Sequence, residues 1–228
     1  DDIDLYKDYT RSPKYRINIL PVPPAQDPEN PSIVLGHRKK PYFRVHVHGS
    51  DHVFRGHGRF RAFWIVSGSV TLSRITMMEN GHAKALDGGA IRVEGSGSKV
   101  KVKKCTFINC LAKNGGAISI GKEARVLASD VVFLSCSAPN GYGGAIINEG
   151  YLRYSESTAF DTRSGISGGG LMNMHGASAE VKECEFRKCF ARKKGAAIFN
   201  AADALILLEN NLFELSSTGD GLDGSAAS

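Results

Sequence analysis

Chemistry needs bases, acids, nucleophiles or metal ligands at workable spacing, so the histidines, acids and cysteines are read first. Four of the seven histidines, His46, His48, His52 and His57, fall close together. His46 and His48 alternate, which suits the outer face of a strand better than a metal cage, because alternate residues of a strand share a face. His57, between Gly56 and Gly58, is the best candidate for an acid or base, but the nearest upstream acid, Asp51, stands alone. An ordinary turn between two early strands is the preferred reading there. Asp87 could offer a carboxylate to calcium, yet its repeat equivalents are Asn114, Tyr142, Ser167 and Lys194, so no acid ladder forms. Asp220-Gly221-Leu222-Asp223-Gly224 is a short calcium-like run in a polar tail, a weak signal by itself. The five cysteines are odd in number and contain no C-x-x-C pair, which argues against a fully paired framework and against zinc. No catalytic, metal or cofactor residue is assigned, and the chain is expected not to be an enzyme.

Binding is better represented. The net charge is +6, and the last 28 residues carry five acids with neither Lys nor Arg, so the body before them is more basic than the total. Lys99, Lys101 and Lys103 alternate along one segment, and Arg192, Lys193 and Lys194 run together on a later one. A basic body favours acidic protein partners or an anionic glycan, with an evenly solvated surface as the alternative. Nucleic acid is disfavoured, since aromatic residues are not interleaved with the cations. No apolar run approaches the ~18–20 residues of a membrane helix. The chain begins at Asp1 rather than Met, which reads as a processed or trimmed form, and no compartment is assigned.

These residues sit on a repeat. Gly88-Gly89-Ala90-Ile91 returns as Gly115-Gly116-Ala117-Ile118, Gly143-Gly144-Ala145-Ile146, Gly168-Gly169-Gly170-Leu171 and Gly195-Ala196-Ala197-Ile198. A phenylalanine keeps the same period at Phe107, Phe133, Phe160, Phe186 and Phe213. A period of ~25 residues that holds only short strand-like runs and turns closes one coil of a parallel β-helix. The fold expected is therefore all-β: a right-handed, single-stranded parallel β-helix of about 6–7 coils over residues 41–215. An extended proline-rich arm over 1–40 precedes it and a polar tail over 216–228 follows it. Pro13, Pro21, Pro23, Pro24, Pro28 and Pro31 exclude a helix from the arm. Tyr15–Ile19 could form one strand there, and Tyr6 and Tyr9 are candidate contacts.

Equivalent residues should stack in ladders. The phenylalanines are expected to form an inward stack, and the cysteines to be small inward fillers, with Cys110 and Cys136 stacked closely enough for a bridge to be conceivable. Asn148, Asn173 and Asn200 should hydrogen-bond from coil to coil as a structural ladder. After each Gly-Gly corner the Ile or Leu points in, so the next residue points out. That rule sets Ile147, Met172 and Phe199 in an outward apolar stripe, which suits a contact with the arm or with a partner protein. The last coil, near Phe213, has no evident cap, and an open edge invites pairing.

The repeats Phe-x-x-Cys/Asn-x-Ala…Gly-Gly-Ala-Ile, with Val70–Ile75 and Asn80-Gly81 before the first, resemble the pectin-lyase-like superfamily of right-handed β-helices. In style they are nearest to the repeats of polymorphic outer-membrane proteins, over roughly residues 45–215. Gly56-His57-Gly58 is similar to a motif of polygalacturonases, without the paired aspartates those enzymes carry in earlier coils. The resemblance implies the fold and a range of roles: adhesins, structural solenoids, and polysaccharide lyases or hydrolases. Cysteine often stands for the asparagine of Phe-x-x-Asn, and no barrel segment is read within these 228 residues, two departures from the pattern that count against an outer-membrane role. The function expected is a non-catalytic scaffold or linker that binds acidic protein partners within a larger assembly. Basic linkers that join the acidic discs of a light-harvesting antenna, the phycobilisome, offer an analogy. A surface adhesin and a polysaccharide-binding or -cleaving protein are the alternatives.

Overall fold

The computed structural model describes residues 31–35, 44–49, 52–82 and 87–219. They form a parallel β-solenoid of about six turns with no helix. Sheet I joins Pro31–Leu35, Arg61–Ile65, Ile91–Val93, Ile118–Ile120, Ile146–Asn148, Leu171–Asn173 and Ile198–Asn200. Sheet II joins Arg44–His48, Ser69–Ser73, Lys99–Lys103, Arg125–Ser129, Tyr151–Ser155, Ser178–Lys182 and Leu205–Glu209. Sheet III joins Val53–Arg55, Thr76–Met78, Thr106–Ile108, Val132–Leu134, Thr158–Phe160, Glu185–Arg187 and Leu212–Glu214. A shorter sheet IV joins Ser137–Ala138, Arg163–Ser164, Phe190–Ala191 and Ser217–Thr218.

Pro31–Leu35 pairs with Arg61–Ile65, so this part of the proline-rich segment belongs to sheet I. Tyr6, Tyr9, Tyr15–Ile19 and the run Asp220–Gly224 lie outside the described residues. Among the described residues no helix is long and apolar enough to cross a membrane.

Alternation builds the core. Val100 and Val102 are buried while Lys99, Lys101 and Lys103 are exposed, as the period of two requires. Their coil-to-coil partners Val126 and Ala128, Leu152 and Tyr154, and Ala179 and Val181 continue both inward rows. Ile91, Ile118, Ile146, Leu171 and Ile198 form the inward row of sheet I.

The aromatic row differs from its sequence reading at one coil. Phe107 stacks on Phe133 with centroids 4.9 Å apart, and Phe186 on Phe213 at 5.3 Å. Between them, however, the residue in register is Ala159, and Phe160 pairs with Leu134 and Arg187 on the outer face. The 26- and 27-residue steps of the phenylalanines hide this slip, since one residue reverses the face. Tyr154, from the adjoining strand of sheet II, supplies the missing ring, with centroids 6.0 Å from both Phe133 and Phe186. Its hydroxyl is buried without a hydrogen-bond partner.

Besides the corner between sheets I and II, where Gly68, Gly95, Gly97, Glu123, Gly176 and Asp203 hold positive φ, three further kinds of corner turn each coil. The first glycine of each pair holds φ between 56° and 70°, the left-handed region. The other two corners use ordinary residues in that region: Arg74, Lys104, Asp130, Glu156, Glu183 and Asn210 between sheets II and III, and Glu79, Asn109, Ser135, Asp161, Lys188 and Leu215 after sheet III. Isolated left-handed residues are tolerated singly, and Asn and Asp best of all.

Inside the corners the asparagine ladder is present. Asn148 Nδ2 donates to Asn173 Oδ1 at 2.7 Å, and Asn173 Nδ2 to Asn200 Oδ1 at 2.7 Å. Asn200 Nδ2 ends the chain on the Ala204 carbonyl at 3.0 Å. All five cysteines are free and buried, Cys110 and Cys136 included. Each thiol donates to a carbonyl about one coil earlier, such as Cys184 Sγ to Tyr154 O at 3.4 Å and Cys189 Sγ to Ala159 O at 3.6 Å.

Burial raises the thiol pKa of Cys105, Cys110 and Cys189 and pushes that of Cys184 up to about 12 from 9.0. Raised folded-state values mean that unfolded thiols ionise first as pH rises. Their contribution is therefore complete below about pH 9 and is lost above it, at up to about 1.4 kcal/mol per pH unit for each thiol. The urea midpoint should be level from pH 7 to 8 and fall from pH 9 to 10.5. Cys184→Ala should fall less steeply, and a level midpoint throughout would contradict the linkage.

Candidate functional site

The sequence candidates separate into three places. Ile147 and Met172 point away from the solenoid bore and retain 3% and 4% exposure. With Ala201 they form a second apolar cluster, against which Tyr142, Met174 and Phe199 pack. The stripe is thus contiguous, as its spacing implies, but Ile147 and Met172 are covered rather than free. Phe199 is half-buried at its end.

Arg192, Lys193 and Lys194 are exposed on the turn that leads into Ile198–Asn200. Lys194 bridges Ser167 through the backbone, and no carboxylate ladder accompanies it. Asp87 and Asn114 are also bridged, and Asn114 Nδ2 donates to Asp87 Oδ1 at 2.8 Å, so this corner is joined by amide and backbone groups. His57 is an exposed turn residue with φ 51°. His52 Nδ1 lies 2.8 Å from the Gly49 carbonyl. Among the described residues no three His, Cys, Asp or Glu side chains are grouped to hold a metal.

Lys99, Lys101 and Lys103 occupy the most organised surface, the outer face of sheet II. Register places Ser69, Thr71 and Ser73 beside them on one side, and Arg125, Leu127 and Ser129 on the other. Arg44, His46 and His48 follow beyond the serine–threonine row. Four adjacent strands therefore face outward with Arg44, Lys99, Lys101, Lys103 and Arg125, two histidines, hydroxyls and one leucine, and with no carboxylate. Ser73 Oγ is shared by His46 Nε2 at 2.9 Å and His48 Nδ1 at 3.0 Å. Arg125 stacks over Tyr151 at 5.0 Å. None of the ion pairs among the described residues uses Arg44, Lys99, Lys101, Lys103 or Arg125.

The same face changes character in the later coils. Glu180 accepts from Arg153 Nε at 2.8 Å and from the Tyr151 hydroxyl at 2.5 Å. The Tyr151 hydrogen bond, followed by Arg153, holds the Glu180 carboxyl below its ordinary range. Lys182 pairs with Glu209 at 3.1 Å. Among the described residues, one half of the sheet pairs its charges within the chain, and the other half has no carboxylate partner for its cations. Sequence reading found the lysines but missed Arg44 and Arg125. The period would have linked Lys99 to Arg125, whereas the longer step from Ser69 to Lys99 hides the earlier strands. Comparison with protein-family models, with curated proteins and with solved structures returned no match.

Proposed function

We propose that this chain is a non-catalytic binding scaffold that holds acidic partner proteins within a larger assembly, through the outer face of sheet II. The observation that carries the reading is the segregation of charge: four adjacent strands bear five cations without an outward carboxylate, while neighbouring strands pair theirs. A rigid sheet fixes those cations without ordering a loop, which lowers the entropic cost of binding. Exposed charges at this density steer an acidic partner and set its orientation more than they add affinity. The Gly-Gly-Ala-Ile repeats support placement with surface and scaffold β-helices of the pectin-lyase-like type, and the basic body fits a linker role.

The test is recovery of partners from native extract, by the full chain and by a variant with Lys99→Glu, Lys101→Glu and Lys103→Glu. The parent chain should retain a defined acidic protein, and the variant should retain at least five-fold less at the same salt. Equal recovery by the two, or recovery of glycan alone, would overturn the reading.

A further inference from the structure

The size of the unpaired basic face restricts what can bind it. Four strands at about 4.8 Å spacing span about 14 Å, and five residues at about 3.3 Å span about 16 Å. The patch is thus on the order of 250 Å², whereas a stable folded interface needs about 800 Å² from each partner. A folded acidic surface would have to use much more of the solenoid, and the adjoining strands of sheet II carry internally paired charge at Glu180 and Glu209. A single extended chain fits the patch as it stands.

The spacing of the cations says more. Lys99, Lys101 and Lys103 are alternate residues of one strand, all exposed, and so repeat at about 6.6 Å. An extended peptide with acids at alternate positions has the same repeat. Laid along this strand, it sets three carboxylates against three ammonium groups. An extended chain sends its intervening side chains to its opposite face, away from the sheet, so only the acids meet the lysine row and the flanking hydroxyls of Ser69, Thr71 and Ser73. Among the described residues the face offers little to a sugar or base ring: the neighbouring Tyr151 already carries Arg125 over its ring and donates to Glu180, and the His46 and His48 rings are both engaged with Ser73 Oγ. Stacking supplies much of the affinity for single-stranded nucleic acid, and aromatic faces play the same part for sugars.

We infer that the Lys99–Lys103 face binds an extended acidic segment of a partner protein whose acids alternate with uncharged residues. This rests on the scaffold reading above and narrows it from an acidic protein to an acidic strand.

Fluorescence anisotropy with the full chain tests it. The probes are two labelled twelve-residue peptides of equal composition, one alternating Glu and Ser and one with Glu and Ser in blocks of two. Oligogalacturonate and an oligothymidylate serve as competitors. The alternating peptide should bind at least three-fold more tightly than the block peptide. Replacement with Lys99→Gln, Lys101→Gln and Lys103→Gln should weaken it at least ten-fold while leaving thermal unfolding unchanged. Equal binding of the two peptides, or an unaffected triple variant, would overturn the inference. So would displacement by the glycan or the nucleotide at concentrations at which the free peptide does not compete. If extract recovery still depends on these lysines while neither peptide binds, the scaffold reading survives and the acidic strand fails. If recovery is independent of them and the peptides bind elsewhere, both fail.

Discussion

Gly144→Ala should unfold the solenoid locally or destabilise it by roughly 3 kcal/mol or more, whereas Ala196→Gly, the reverse change at the equivalent corner, should cost only about 0.5–1 kcal/mol. The second glycine of each pair is not held at positive φ, so space alone decides what it can be. A Cβ on Gly144 would lie within 3.0 Å of the Gly169 carbonyl oxygen, and 2.6 Å from the Arg163 amide nitrogen. Both are backbone atoms of the following coil, and neither can yield without breaking the ladder. Gly89, Gly116 and Gly169 meet the carbonyl of Gly116, Gly144 and Ala196 in the same way. Ala196 holds the equivalent place in the last described coil. Denaturant unfolding of the two variants beside the parent chain decides the matter. If Gly144→Ala costs no more than Ala196→Gly, close packing of the coils is not what selects glycine.

The same corner shows how far the sequence could be read. A Gly-Gly dipeptide returning at a near-constant interval identifies the coil, because the first glycine combines positive φ with no room for a Cβ against the carbonyl three residues on, and the second meets a carbonyl of the next coil. The two corners flanking sheet III left no such mark. Their left-handed residues are Arg, Lys, Asp, Glu, Asn, Ser and Leu, and a residue type tolerated in many conformations does not announce one of them. The asparagine ladder was legible because its side chains bond only to one another and to backbone groups. The lysines of Lys99–Lys103 were legible as an outward row through their alternation with Val100 and Val102. Their isolation from carboxylates was not, since it depends on strands some 25–30 residues away and on register across them. The burial of Ile147 and Met172 was hidden for a related reason. Direction relative to the bore follows from alternation, but cover depends on Tyr142 and Met174, which lie outside the strands that fix the alternation.

The largest misreading, at Phe160, leads to the other large effect. The aromatic row passes through Tyr154 because Ala159 leaves a place that its neighbour's ring fills. The next coil has adjusted as well: Gly170 stands where the other repeats have alanine, and a Cβ there would come 2.8 Å from Phe186 Cδ1. Tyr154→Ala should therefore open a cavity between Phe133 and Phe186 and cost about 3–5 kcal/mol. Ala159→Phe alone should overpack the same space and cost about 1–3 kcal/mol. Together the two changes restore the inward phenylalanine that the other coils carry, so the double variant should be less destabilised than the sum of the singles by at least about 2 kcal/mol. Tyr154→Phe removes only the unpartnered hydroxyl and should stabilise by about 1 kcal/mol, which separates the ring from its oxygen. Urea midpoints of the four variants complete the cycle. Additive losses would mean that Tyr154 and Ala159 do not share one space, and that the slip at Phe160 reflects a displaced strand rather than a substituted ring.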